Sequence, residues 1–130
     1  MKYICFIFLG ALLLYIPACD EDGRYYNYFD YSYIDTVLAA DTIQNGEPVG
    51  IVYVYPAGCN HFERIESKEH GVSLELAVLY HFYFRGEPCA HGSGLDTTSY
   101  RLFFSSGDQH FLVYRKSEDW EVLRPIFVTK

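Results

Sequence analysis

An all-β fold, an antiparallel sandwich or small barrel of about seven strands, is what this sequence predicts, and three observations carry the reading. Aromatic residues make up 18% of the chain, with 13 Tyr and 10 Phe, and these are side chains that fill half-buried pleated surfaces. From Ile34 onward, short apolar runs are separated by turn signals at roughly 8–12-residue intervals, the spacing of β-sandwiches and small barrels. Finally, Val72, Leu74, Leu76, Val78, Tyr80, Phe82 and Phe84 alternate with Ser73, Glu75, Ala77, Leu79, His81 and Tyr83. A period of two over thirteen residues leaves no helical alternative.

The first element is not part of that fold. Lys2 is the only charge before Asp20, and Tyr3 to Ile16 is almost unbroken apolar sequence. A membrane-crossing helix needs about 20 apolar residues, whereas the core of a signal peptide needs roughly 7–15 after a positive start. Residues 1–18 are therefore expected to be a signal peptide. The acidic "CDEDG" and the Tyr-rich "RYYNYFDYSY" that follow lack a clean period, so residues 19–33 read as a tether and residues 34–130 as the folded domain. Within that domain "IDTVLAAD" is a short strand. "QNGEP" carries an Asn-Gly turn, and "VGIVYVYP", apolar on both faces, suits an inner strand. Asn60 to Ser67 makes a further strand, closed by the charged "KEHG" turn before the long alternating segment. "RGEPCAHGSG" is a breaker-rich loop, and "SYRLFFSS", "HFLVYRKS" and "EVLRPIFVTK" supply the remaining strands. Pro125 cannot donate to a ladder, which puts the last strand at an edge or bends it there.

Loss of Lys2 with the signal takes the formal charge from −7 to −8. The basic residues are scattered, which excludes nucleic acid as a partner, because phosphate binding needs clustered Lys or Arg. Cys5 leaves with the signal. If Cys19 is modified, Cys59 and Cys89 remain as an even pair in an oxidising compartment and are expected to form a disulfide.

Ile16, Ala18 and Cys19 at the end of the apolar run resemble the lipobox of bacterial lipoproteins. That resemblance implies that Cys19 carries palmitate-type acyl chains, becomes the new N-terminus and holds the protein on a membrane. Two or three chains retain a protein that one would not. The acids of "CDEDG" look like the surface-export signal of lipoproteins in Bacteroidetes-type bacteria, which implies an outer-membrane, cell-surface address. The domain itself is similar to small uncharacterised lipoproteins of those bacteria with an immunoglobulin-like β-sandwich. "ADTIQNGEPVGIVY", "AGCNHFERIE" and the cysteine of "GEPCAH" carry the likeness. It implies a non-catalytic binding or accessory role.

Candidate chemistry is sparse. Cys59-Asn60-His61 and Cys89-Ala90-His91 are two Cys-x-His units, but structural zinc sites usually leave two to four residues between paired ligands, and an exported chain oxidises its thiols. If the cysteines are bonded, His61 and His91, two residues along each strand, can approach each other and hold a divalent metal beside Glu63 or Asp96. No "GxSxG", "HExxH" or phosphate loop is present. For a small envelope hydrolase the sequence offers Ser93, Ser105, Ser106 and five histidines, or paired carboxylates such as Glu63 and Glu66, or Glu118, Asp119 and Glu121. No cofactor is expected. The candidate ligand surface is aromatic: Tyr25, Tyr26, Tyr28, Tyr31 and Tyr33 of the tether, with His81 and Tyr83 on the outward face of the long strand. These side chains suit a glycan, a peptide or another envelope protein.

Overall fold

The computed structural model describes residues 26–84, 86, 88–89 and 92–130. The expected signal peptide, Cys19, Tyr25 and His91 lie outside the described residues. Nine strands occur among the described residues: β1 (Tyr26–Ser32), β2 (Ile34–Leu38), β3 (Thr42–Gln44), β4 (Pro48–Tyr55), β5 (Asn60–His70), β6 (Ser73–Phe84), β7 (Gly94–Arg101), β8 (Asp108–Ser117) and β9 (Trp120–Thr129). They form two sheets, a mixed one in the order β1-β6-β8-β9-β3 with β5 on the second edge of β6, and an antiparallel one, β2-β4-β7. The fold is all-β, but it is not wholly antiparallel, since β3·β9 and β6·β8 are parallel.

Two strands exceed the seven expected. One is β1, which occupies the segment read as tether. From Tyr26 it runs antiparallel to β6, Tyr26 opposite Phe84 and Ser32 opposite Val78. Its aromatics stack across the pair, Tyr28 on Phe82 at 4.8 Å and Phe29 on His81 at 4.6 Å. Cross-strand aromatic contacts of this kind stabilise a pair by several tenths of a kcal/mol to ~1 kcal/mol each, enough to recruit a segment whose alternation is imperfect. The other is β3, three residues long, too short for a period to register. It lets the Asn-Gly turn do something other than close a hairpin. The strands on either side belong to different sheets, and the corner is held by side-chain mimicry of a ladder: Asn45 Nδ2 donates to Phe104 O and Phe104 N donates to Asn45 Oδ1. Gly46 sits at φ 82°, with a would-be Cβ 3.0 Å from the Phe103 ring, so no other residue fits there without strain.

The core lies between the sheets. β4 is the central strand of the smaller sheet, as its two-sided apolar sequence required, and turns Val49, Ile51 and Tyr53 inward. β6 turns Leu74, Leu76, Val78 and Tyr80 inward from the larger sheet, as the alternation predicted. β7 begins at Gly94 rather than Ser99, extending into the expected loop, because Leu95 to Thr98 continue the pairing with β4 as far as Tyr55. Leu102 and Phe104 are buried outside any strand, as the chain crosses to the larger sheet. Pro125 faces Phe111 on β8, and on its other side β3 joins only from Phe127. The proline therefore occupies a stretch of β9 with one free edge. Arg124 closes the same corner, donating to Val37 O at 2.7 Å and Ala39 O at 2.6 Å where the chain leaves the smaller sheet.

Cys59 and Cys89 form a disulfide, with 4.9 Å between their α-carbons. It closes the open end of the β5–β6 hairpin, whose other end is the turn at Gly71, φ 62°.

Two buried phenols make the core sensitive to alkali. Burial, and then the hydrogen bond to Asp96 at 3.1 Å, pushes Tyr53 up to about 12, and burial drives Tyr80 upward further still. A phenol whose folded pKa exceeds its unfolded value of about 10 stabilises the fold below pH ~10 and loses that contribution as pH rises through the folded value. Between pH 10 and 12, Tyr53 alone is expected to cost the fold on the order of 1 kcal/mol per pH unit. Tyrosinate absorbance and far-UV dichroism followed together should show a cooperative loss of structure that coincides with ionisation of the buried phenols. Ionisation of every tyrosine with the fold intact would contradict this.

Candidate functional site

The site begins with an irregularity in the larger sheet. β5 takes one edge of β6, so β1 and β8 must share the other. β1 pairs with residues 78–84 and β8 with residues 73–75, leaving Leu76 and Ala77 with neither. There the sheet forks. β1 ends at Ser32, whose hydroxyl donates to Val54 O at 2.6 Å, and Val54 N donates to Tyr33 O at 2.9 Å. These bonds pull the chain across to the smaller sheet. β8 leaves in another direction towards β2, where Lys116 meets Asp35 at 3.8 Å.

Between the diverging strands lies a cleft of about 790 Å³, within the range of small-molecule and oligomer sites. Four tyrosines line it, Tyr31, Tyr33, Tyr100 and Tyr114, with Glu66, Lys68, Glu75, Arg115 and Glu121 among the charged side chains. Tyr31 fixes one wall. It faces Leu79 across the β1–β6 pair, and its hydroxyl donates to Glu66 Oε2 at 3.0 Å on β5, so its ring spans β6. That crossing explains why Leu79, an outward residue, is buried. The Arg64 guanidinium grips the other oxygen of Glu66 at 2.6 Å and 3.1 Å. This contact and the Tyr31 hydroxyl hold the Glu66 carboxyl below the usual range, and the carboxylate in turn pushes the Tyr31 phenol up. On the opposite wall, Ser67 Oγ and Tyr100 OH are 2.8 Å apart and tie the two sheets together, while Arg115 faces Glu121 at 4.0 Å.

The residues expected to contact ligand divide into three groups. Tyr31 and Tyr33 reach the cleft. Tyr26 and Tyr28 lie at the far end of β1, against Phe84 and Phe82. His81 and Tyr83 face outward beside Phe29. Tyr100, Tyr114, Lys68, Glu75 and Arg115 had carried no signal, because strands far apart in the chain bring them together. Of the paired carboxylates, Glu63 and Glu66 share Arg64. Ser106 Oγ comes within 3.4 Å of His110 Nε2, but that nitrogen donates to Ser106 O at 3.0 Å and the ring packs on Phe104. His110 Nδ1 is buried with no hydrogen-bond partner. With one ring nitrogen given to a backbone carbonyl and its ring packed on Phe104, this imidazole is placed as a core ring. His61 is paired by register with His81, while its expected partner His91 lies outside the described residues.

No protein-family model, no curated protein and no solved structure matches this chain.

Proposed function

We propose that this protein is a lipid-anchored binding module of the cell envelope, held at the outer-membrane surface through Cys19, and that the forked cleft is where it takes its ligand. The observation that carries the reading is the cleft itself, a preformed opening walled by four tyrosine rings with hydrogen-bonding side chains at its rim. Flat phenols supply stacking area together with a polar tip, a combination that suits sugar rings and extended peptides. Three carboxylates against two cations make it a poor host for polyanions. A glycan chain fits best, since its hydroxyls can use Glu66, Glu75 and Arg115 while its ring faces lie on Tyr33 and Tyr100.

The two facing sheets are read as an immunoglobulin-like sandwich. Support comes from the divided first strand of the core domain, with β2 beside β4 in the smaller sheet and β3 running parallel to the last strand β9. The parallel β6·β8 pair departs from that pattern and creates the fork.

The anchor and the ligand are tested separately. Mass spectrometry of the membrane fraction should find an acylated N-terminus at Cys19, and protease treatment of intact cells should remove the protein. An unmodified N-terminus retaining Met1 would end the anchor reading. Oligosaccharide and peptide arrays probed with the protein should give a glycan signal that falls at least tenfold in Tyr33→Ala. A signal unchanged by that substitution, or none for any glycan, would end the cleft reading.

A further inference from the structure

We propose a second site, independent of the cleft and of the anchor: a divalent transition-metal site of Cu²⁺ or Zn²⁺ type, formed by His61 on β5 and His81 on β6. The two residues are direct partners in the register. Tyr83 N donates to Cys59 O at 3.1 Å, which makes Cys59 and Tyr83 a hydrogen-bonded pair. His61 and His81, two steps further along both strands, form a pair of the same kind. Directly opposite residues of this type place their β-carbons about 5.5 Å apart on one face, a separation that two imidazoles can close around one ion.

The state of His81 is the second support. Its ring stacks on Phe29 at 4.6 Å, and Nε2 lies 2.6 Å from Asn27 Oδ1, both on β1. An oxygen acceptor assigns the proton to Nε2, which leaves Nδ1 with a bare lone pair for an ion. Metal-binding histidines characteristically donate their second ring nitrogen to an oxygen that fixes tautomer and ring angle, and Asn27 stands in that relation to His81. Among the described residues no group of three His, Cys, Asp or Glu side chains gathers around a common point. Water therefore completes the coordination, and the ion is exchangeable rather than structural. Neutral imidazole favours Cu²⁺ over the other divalent first-row ions and also suits Zn²⁺. The disulfide leaves no thiolate at Cys59 to compete.

The test is titration of the purified, untagged full-length protein with CuSO4 and with ZnCl2 by calorimetry, together with electron paramagnetic resonance of the copper form. One ion per chain, two coordinated nitrogens, and at least tenfold weaker binding in both His61→Gln and His81→Gln are expected. His70→Gln should bind as wild type. Zinc should raise the thermal midpoint of the wild-type protein but not of His61→Gln, a comparison in which each protein's own metal-free midpoint reports its folding. Undiminished affinity in either glutamine variant, a loss that follows His91→Gln instead, or no binding below millimolar metal would overturn the proposal.

Discussion

Replacing Cys59 and Cys89 together with serine is expected to lower the unfolding free energy by about 4 kcal/mol, moving the urea midpoint sharply downward. The bond joins residues 30 apart in sequence, and the chain-entropy estimate for a closed loop of that size is roughly 3.7 kcal/mol. Two features of the fold keep the effect near the full estimate. The bridge sits at the open end of the β5–β6 hairpin, where no turn restrains the strands, whereas Gly71 already restrains the other end. It also stands beside the first rungs of a ladder that the whole larger sheet depends on, since β1, β5 and β8 all pair with β6. A domain of this size holds only ~5–15 kcal/mol in total. Equilibrium urea unfolding with and without reductant, compared with the double-serine variant, is the measurement. Equal midpoints for oxidised and reduced protein would show that the hairpin needs no cross-link.

Parts of this architecture were legible in the chain because they depend on local pattern. The alternation from Val72 to Phe84 names the inward face of β6 residue by residue, and cysteine parity, on the expectation that the N-terminal segment is removed, names the disulfide. β1 was illegible for a physical reason. Tyr26 and Tyr28 face one way and Phe29 and Tyr31 the other, so both sides of the strand are aromatic and no period emerges. Its order comes from stacking on Phe82 and His81, which only the tertiary fold supplies. The cleft was less legible still, since Tyr31, Ser67, Tyr100 and Tyr114 are separated by long stretches of sequence and meet only because β8 enters the sheet parallel to β6. Pairing of His61 with His81 follows from a register set by the Gly71 turn and by the bulge between Phe62 and Arg64. A shift of one residue would have put the two imidazoles on opposite faces.

Tyr80→Ala is expected to be as damaging as loss of the disulfide, at about 3–5 kcal/mol, the range for removing a large buried aromatic. Tyr80 is 1% exposed and sits at the crossing of the two sheets. Tyr53, Tyr55 and Phe62 all meet its ring edge-on, at 6.1, 5.9 and 6.2 Å. Each such pair adds about 0.5–1.5 kcal/mol beyond the area it buries, so truncation leaves a cavity walled by rings too rigid to collapse into it. The hydroxyl matters far less. It reaches Val54 O at only 3.4 Å, and Tyr80→Phe should change stability by under ~1 kcal/mol. Because burial raises the Tyr80 phenol, the phenylalanine variant should also hold its fold to higher pH than wild type, while the alanine variant unfolds earlier at every pH. Urea midpoints for the two variants at neutral pH and above pH 10 separate packing from ionisation. Equal losses in both would place the stabilisation in the hydroxyl, and an alanine variant as stable as wild type would mean that the two sheets do not meet at this ring.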